Sequence, residues 1–291
     1  MTNKLYNIQA LRGVAVLLVV LYHLCCAEAK LWPHADFKYF SLLKFGFGGV
    51  DLFFVISGFI ITFVNYDSLG NPKAIPSYLE KRFLRIFPLY WLVFGFIAVT
   101  IHYEVGVHGS VEYVPFFGHI KALLLLPQNS TNYALVPVAW SLVYEVIFYA
   151  AFCIFIVSPA NRFMQLLIIW LIVLVGLNLT VDPMESPTLT VLFSPLNIEF
   201  ILGCLSGVLV RKRILVKPIL AIVIGLLWFG VGAFANASNF ANFDLYLTRL
   251  IAFGCPSFLI LYGCCGLEFH DNFFYCQLVF KNLVTHRIQS T

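Results

Sequence analysis

Five short stretches carry polar side chains inside otherwise apolar sequence. IQALRGVAVLLVVLYHL, residues 8–24, holds Arg12 and His23. Eleven helical steps of about 100° return to within about 20°, so both side chains leave one face of a helix, about 16 Å apart along its axis. FGFGGVDLFFVISGF carries Asp51, PVAWSLVYEVIFY carries Ser141 and Glu145, and FSPLNIEFILG carries Glu199. Ser141 and Glu145 stand at i, i+4 on one helical face, as do Trp140 and Tyr144. An ionisable group in hydrocarbon costs several kcal/mol, so each is a functional candidate. A histidine and three carboxylates at similar depth make an acid–base site. The competing account has Arg12 snorkelling to the surface, His23 filling a polar gap and the carboxylates making structural polar pairs.

The fifth stretch is YLEKRFLRIFPLYW, where Arg82 and Arg85 are in phase at i, i+3 with Lys81 beside them. Topological anchoring explains the charge but does not need two arginines on one face. The planar guanidinium fork suits phosphate, which points to a phosphorylated cytosolic ligand.

The elements that must position these residues follow from composition. The 291-residue chain is 61% hydrophobic and only 11% charged, with a mean hydropathy of +0.90. A hydrocarbon core of about 30 Å takes roughly 20 apolar residues per helix. The pattern predicts an all-α, polytopic transmembrane bundle of about eight spans: Ile8–Ala27, Gly46–Tyr66, Ile86–Tyr103, Val138–Val157, Phe163–Val181, Val191–Val210, Pro218–Ala235 and Tyr246–Leu267. Phe116–Pro127 is too short to cross and is expected at the interface or re-entering. Residues 1–267 form one membrane domain and 268–291 a short cytoplasmic tail.

With the N-terminus in the cytoplasm, inner loops collect Lys4, Lys73, Lys81, Arg82, Arg85, Arg162, Arg211, Lys212, Arg213, Lys217, Lys281 and Arg287. Outer loops then hold only Lys30, Lys38, Lys44, Lys121 and Arg249, so N-in, C-in is the expected topology. This distribution also explains the net charge of +4 without a nucleic-acid partner. The eight cysteines show no C-x-x-C spacing and fall mostly in apolar runs, so no metal site is expected.

Taken in order, the five stretches resemble the membrane-bound acyltransferase-3 family, especially its exopolysaccharide and O-antigen acetyltransferases. Arg12 and His23 match the family's Arg, ten residues, His motif; Gly48 to Phe54 with Ser57 and Gly58 match its glycine-rich segment. Arg82 and Arg85, followed by Pro88-Leu89-Tyr90-Trp91, match Arg-x-x-Arg. Trp140, Ser141, Leu142 and Glu145 match Trp-Ser-Leu-x-x-Glu, and Glu199, Phe200 and Gly203 match Glu-Phe-x-x-Gly. The likeness is strong from about Asn7 to Arg213. It implies a bacterial inner-membrane enzyme that takes acetyl-CoA, or another acyl-CoA, as donor substrate. The acceptor would be a hydroxyl of a surface polysaccharide or lipid-linked sugar. The family usually has ten spans, and the sequence after Leu267 is too polar and short for two more, so a truncated or altered C-terminus is expected.

Acyl transfer from thioester to hydroxyl needs a base and a stabiliser of the oxyanion. His23 is the expected base because its unperturbed pKa lies near operating pH. Glu145 or Asp51 would orient the ring, with Arg12 on the same face as His23. Arg82 and Arg85 would hold CoA phosphates, and Trp140, Ser141 and Glu199 would line the substrate path. A proton-coupled transporter or flippase, and an inactive truncated family member, are the rival readings.

Overall fold

The computed structural model describes residues 5–31, 40–108, 116–128, 138–180, 186–238 and 246–269, together with 136, 240 and 243. Among the described residues the structure is helical, without strands. In chain order the helices are α1 (Tyr6–Leu31), a 3₁₀ helix (Phe40–Phe47) running into α2 (Gly48–Asn65), α3 (Ile75–His108), α4 (Phe116–Leu123), α5 (Ala139–Val157), α6 (Phe163–Thr180), α7 (Pro187–Leu192), α8 (Leu196–Arg211) and α9 (Pro218–Ala237). A last span covers Tyr246–Phe269. Among the described residues, eight helical stretches are long and apolar enough to cross a membrane, in the places the hydropathy pattern predicts.

Two boundaries differ instructively. The third candidate span begins at Pro72, well before Ile86, because Asn71 Oδ1 accepts from Lys73 N and proline stands at the first turn. Arg82 and Arg85 therefore lie inside a continuous 34-residue helix that also contains Pro88. The last span runs past Leu267 to Phe269. Its Glu268 carboxylate accepts from the backbone N–H groups of Tyr6 and Asn7, and Asn7 Nδ2 donates to Cys264 O at 2.9 Å. Glu268 thus satisfies orphan donors at the start of α1, which an anion does well at a helix N-terminus. The expected tail beyond Phe269 lies outside the described residues, as do residues 109–115 in the expected outer loop.

The chain forms two compact units, one of residues up to Val64 with those from Glu199 onward, the other Asn65–Ile198. In the first unit α2 and α8 are the most enclosed helices, with α1 and α9 presenting mostly exposed apolar side chains. The α2–α8 crossing rests on glycine. A Cβ on Gly58 would stand 2.1 Å from the Phe200 carbonyl oxygen, and one on Gly203 2.0 Å from that of Val55. Backbone thus meets backbone, the close approach that small residues permit between membrane helices. Leu52, Val55, Ile56 and Phe59 of α2 pack with Ile8 and Ala15 of α1, Val210 of α8 and Leu261 of the last span.

In the second unit α3 packs on α5. Tyr78 OH of α3 donates to Tyr149 O of α5. Phe148, Phe152 and Phe155 of α5 pack with Trp170 of α6 or with Phe163. The short α4 does not span. Its C-terminal carbonyls are taken by α3: Tyr90 OH donates to Ala122 O at 2.6 Å and Trp91 Nε1 to Leu123 O at 3.0 Å, satisfying acceptors that a helix end leaves open.

Candidate active site

In the first unit, α1 presents a seam of Ile8, Leu11, Ala15, Leu18 and Tyr22 toward its neighbours. Arg12 and His23 each follow a seam residue by one step, so both flank the same packed stripe, as eleven-residue spacing requires. Arg12 is half-buried and its Nη1 donates to Gln9 Oε1 at 3.2 Å. His23 is exposed; its Nδ1 lies 2.8 Å from Val19 O and its ring meets Tyr22 edge-on. A Cβ on Gly46 would lie 2.3 Å from Leu18 O and one on Gly49 2.5 Å from Ala15 O, which fixes the antiparallel register of α2 on α1. That register puts Asp51 opposite Gly13, about ten residues below His23 along α1, or about 15 Å. The expectation of a shared depth for these two residues is corrected here. Glycine-mediated packing sets the register, and hydropathy does not encode it.

Asp51 pairs instead with a residue the sequence assigned to an outer loop. Arg249 is buried, and its Nη2 donates to Asp51 Oδ2 at 2.8 Å. Arg249 stands in the first helical turn of the expected span, Tyr246–Arg249, which leads into a π-helical turn, Leu250–Gly254. The guanidinium also lies over the Phe47 ring, 5.0 Å from its centroid. Glu199 of α8 is fully buried beside the pair, within hydrogen-bonding reach of Asp51. Gly254 makes room for it, since a Cβ there would stand 2.9 Å from Glu199 Oε1. Asp51, Glu199 and Arg249 thus form a buried polar centre within the first unit.

The second unit holds its own polar centre. Glu145 is 2% exposed on α5 and accepts a short hydrogen bond from Tyr149 OH, one turn on. The Arg82 guanidinium stacks on two tyrosines, 5.6 Å from the Tyr78 ring centroid and 5.4 Å from that of Tyr149. Arg85 also reaches the Tyr149 hydroxyl electrostatically. Arg82 and Arg85 are each partly exposed, with Lys81 outward. Trp140 and Tyr144 meet edge-on at 6.0 Å, as their i, i+4 spacing predicts. Ser141 Oγ donates to Val138 O at 3.1 Å, closing the first turn of α5.

The structure thus brings Asp51 together with Glu199, and sets Glu145 and Arg82 against the same residue, Tyr149. Sequence reasoning missed Arg249 and Tyr149. The signal for Arg249 was present, since a lone arginine only three residues into an apolar span needs a carboxylate partner. Tyr149 was legible from its i, i+4 spacing to Glu145.

The family model described as "Acyltransferase domain", of the acyltransferase-3 type, matches residues 5–282. The chain belongs to the acyltransferase-3 family. It is similar to the exopolysaccharide production protein ExoZ of Rhizobium meliloti, 27% identical over 69% of this chain and 62% of that protein. It is also similar to the peptidoglycan O-acetyltransferase OatA of Listeria monocytogenes, 32% identical over 36% of this chain and 14% of that protein. The chain therefore spans less than two thirds of the length of either relative. No solved structure matches it.

Proposed function

We propose that this protein is a multi-pass O-acyltransferase of the bacterial inner membrane. It moves an acetyl or other acyl group from acyl-CoA to a sugar hydroxyl of a surface polysaccharide or its lipid-linked precursor. The observation that carries the reading is the family match over residues 5–282, with the motif carboxylates Asp51, Glu145 and Glu199 buried inside membrane-spanning helices. Apolar spans do not retain buried carboxyls without a use or a partner. The names of two relatives, one for peptidoglycan O-acetylation and one for exopolysaccharide production, support a glycan acceptor.

In this reading the N-terminus is cytoplasmic. Arg82 and Arg85 take the CoA phosphates at the inner surface, where a guanidinium fork binds phosphate well. His23, exposed at the other end of α1, takes the acceptor proton. Arg12 lies on the same side of the helix toward the cytoplasm. Glu145 is held by Tyr149 next to Arg82 and so belongs to the donor end. Trp140 and Ser141, at the start of α5, line the path of the substrate.

Mass spectrometry of surface glycan from cells with and without the protein tests the proposal. An added acyl mass that depends on the protein is the expected result. Proton-coupled solute flux without acyl-CoA dependence, and an unchanged glycan, would replace it with the transporter reading.

A further inference from the structure

Two buried carboxyls and one arginine leave an unbalanced account in the first unit. Asp51 Oδ2 takes the Arg249 hydrogen bond, yet Asp51 Oδ1 and both Glu199 oxygens have no donor. Both residues are fully buried. Among the described residues, the titratable groups facing Glu199 are Asp51 from α2 and Arg249 and Cys255 from the last span, while Tyr246 faces Arg249. Only one of these is a cation. Two ionised carboxylates within hydrogen-bonding reach would leave a net negative charge in a low-dielectric centre, which is costly. One proton between them resolves both the charge and the missing donor. The neighbouring backbone is unusual as well: a π-helical turn follows Arg249 directly, a feature frequent at functional sites.

We infer that Arg249, Asp51 and Glu199 form one proton-holding group, in which Arg249 fixes Asp51 as the anion and Glu199 carries a single exchangeable proton donated to Asp51. Its use rests on the acyl-transfer reading. When the ester C–O bond forms and the thioester C–S bond breaks, the acceptor hydroxyl loses a proton and the CoA sulfur gains one. The Glu199 proton supplies the sulfur, and the hydroxyl proton, collected by the base, refills Glu199. No net proton is consumed. Arg249 acts through Asp51 as a positioning residue.

The test uses the purified full chain in lipid nanodiscs. Infrared difference spectroscopy on exchange from H₂O to D₂O should show a protonated-carboxyl C=O band that shifts in the wild type and in Glu199→Asp. Glu199→Gln, which keeps a hydrogen-bond donor but yields no proton, should lose the band. It should also transfer acyl groups from acetyl-CoA about 10²-fold more slowly, with unchanged acetyl-CoA affinity and a pH–rate profile missing one limb. Glu199→Asp should recover part of the rate. A band that persists in Glu199→Gln, or a wild-type rate and pH profile in that variant, would overturn the inference. If Glu199→Gln does not fold, absence of an exchangeable band in the wild type and in Glu199→Asp overturns it instead. A wild-type protein that transfers no acyl group to any glycan sinks the acyl-transfer reading, while the infrared band still decides whether the proton is held.

Discussion

Arg249 Nη2 donates to Asp51 Oδ2 at 2.8 Å, joining residues 198 positions apart in the chain. The pair ties the start of the last span to the first turns of α2, inside the unit that also holds α1 and its histidine. Asp51 is fully buried, and among the described residues Arg249 is the cation that hydrogen-bonds to it.

Removing one partner of such a pair leaves the other buried and uncompensated. Arg249→Met should lower stability by about 3–5 kcal/mol, whereas Arg249→Met with Asp51→Leu should regain most of the loss. Thermal unfolding in detergent measures both. A single variant as stable as the wild type would show that the pair does not hold the unit together.

The α2–α8 crossing should reject any side chain. At Gly58 and Gly203 the opposing atoms are backbone carbonyl oxygens, which no rotamer change removes. Gly58→Ala and Gly203→Ala should each cost about 1–3 kcal/mol or more and reduce folded yield. Gly95 and Gly230 have nothing within 4 Å of an added Cβ, so alanine there should be neutral or stabilising by about 0.5–1 kcal/mol. Equal folded yields across the four would refute the crossing.

Arg82 and Arg85 differ in their surroundings, and lysine distinguishes them from simple anchors. Arg82→Lys loses the flat contact with Tyr78 and Tyr149, and neither lysine reproduces a bidentate phosphate contact. Each substitution should weaken acetyl-CoA binding about tenfold, a difference of about 1.4 kcal/mol. Calorimetry with the purified variants reads this directly. Unchanged affinity in the folded double variant would reduce both to topological anchors.

His23 has little to lose structurally, since it is exposed and its described polar contact is with Val19 O of its own helix. His23→Ala should therefore express and bind acetyl-CoA normally while transferring acyl groups about 10²-fold more slowly. His23→Gln should be nearly as slow. Near-normal transfer by His23→Gln would remove the residue from the mechanism.

The proposed orientation is tested by reporter fusions. Fusions at Asn71 and Lys212 should report cytoplasm and one at Val111 the opposite side. An outer location for Lys212 would reverse the topology and with it the assignment of the donor end.

Spans, their number and the candidate polar residues were legible from the sequence alone. Hydropathy over about 20 residues is a local property, and lipid forces each such segment to satisfy its own backbone as a helix. Spacing within one helix was equally legible, as the Trp140–Tyr144 contact demonstrates. The partners of the buried charges were decided only by the tertiary structure. The expected span already began at Tyr246, yet charge counting grouped Arg249 with the outer loops, and only the packing shows it turned to Asp51. A common depth was expected for His23 and Asp51, but Gly46 and Gly49 let α2 seat against α1 in a register that separates them. Hydropathy reports how far a segment sits from water. It does not report which two helices touch or how far one slides along the other, because those depend on where small residues let backbones meet.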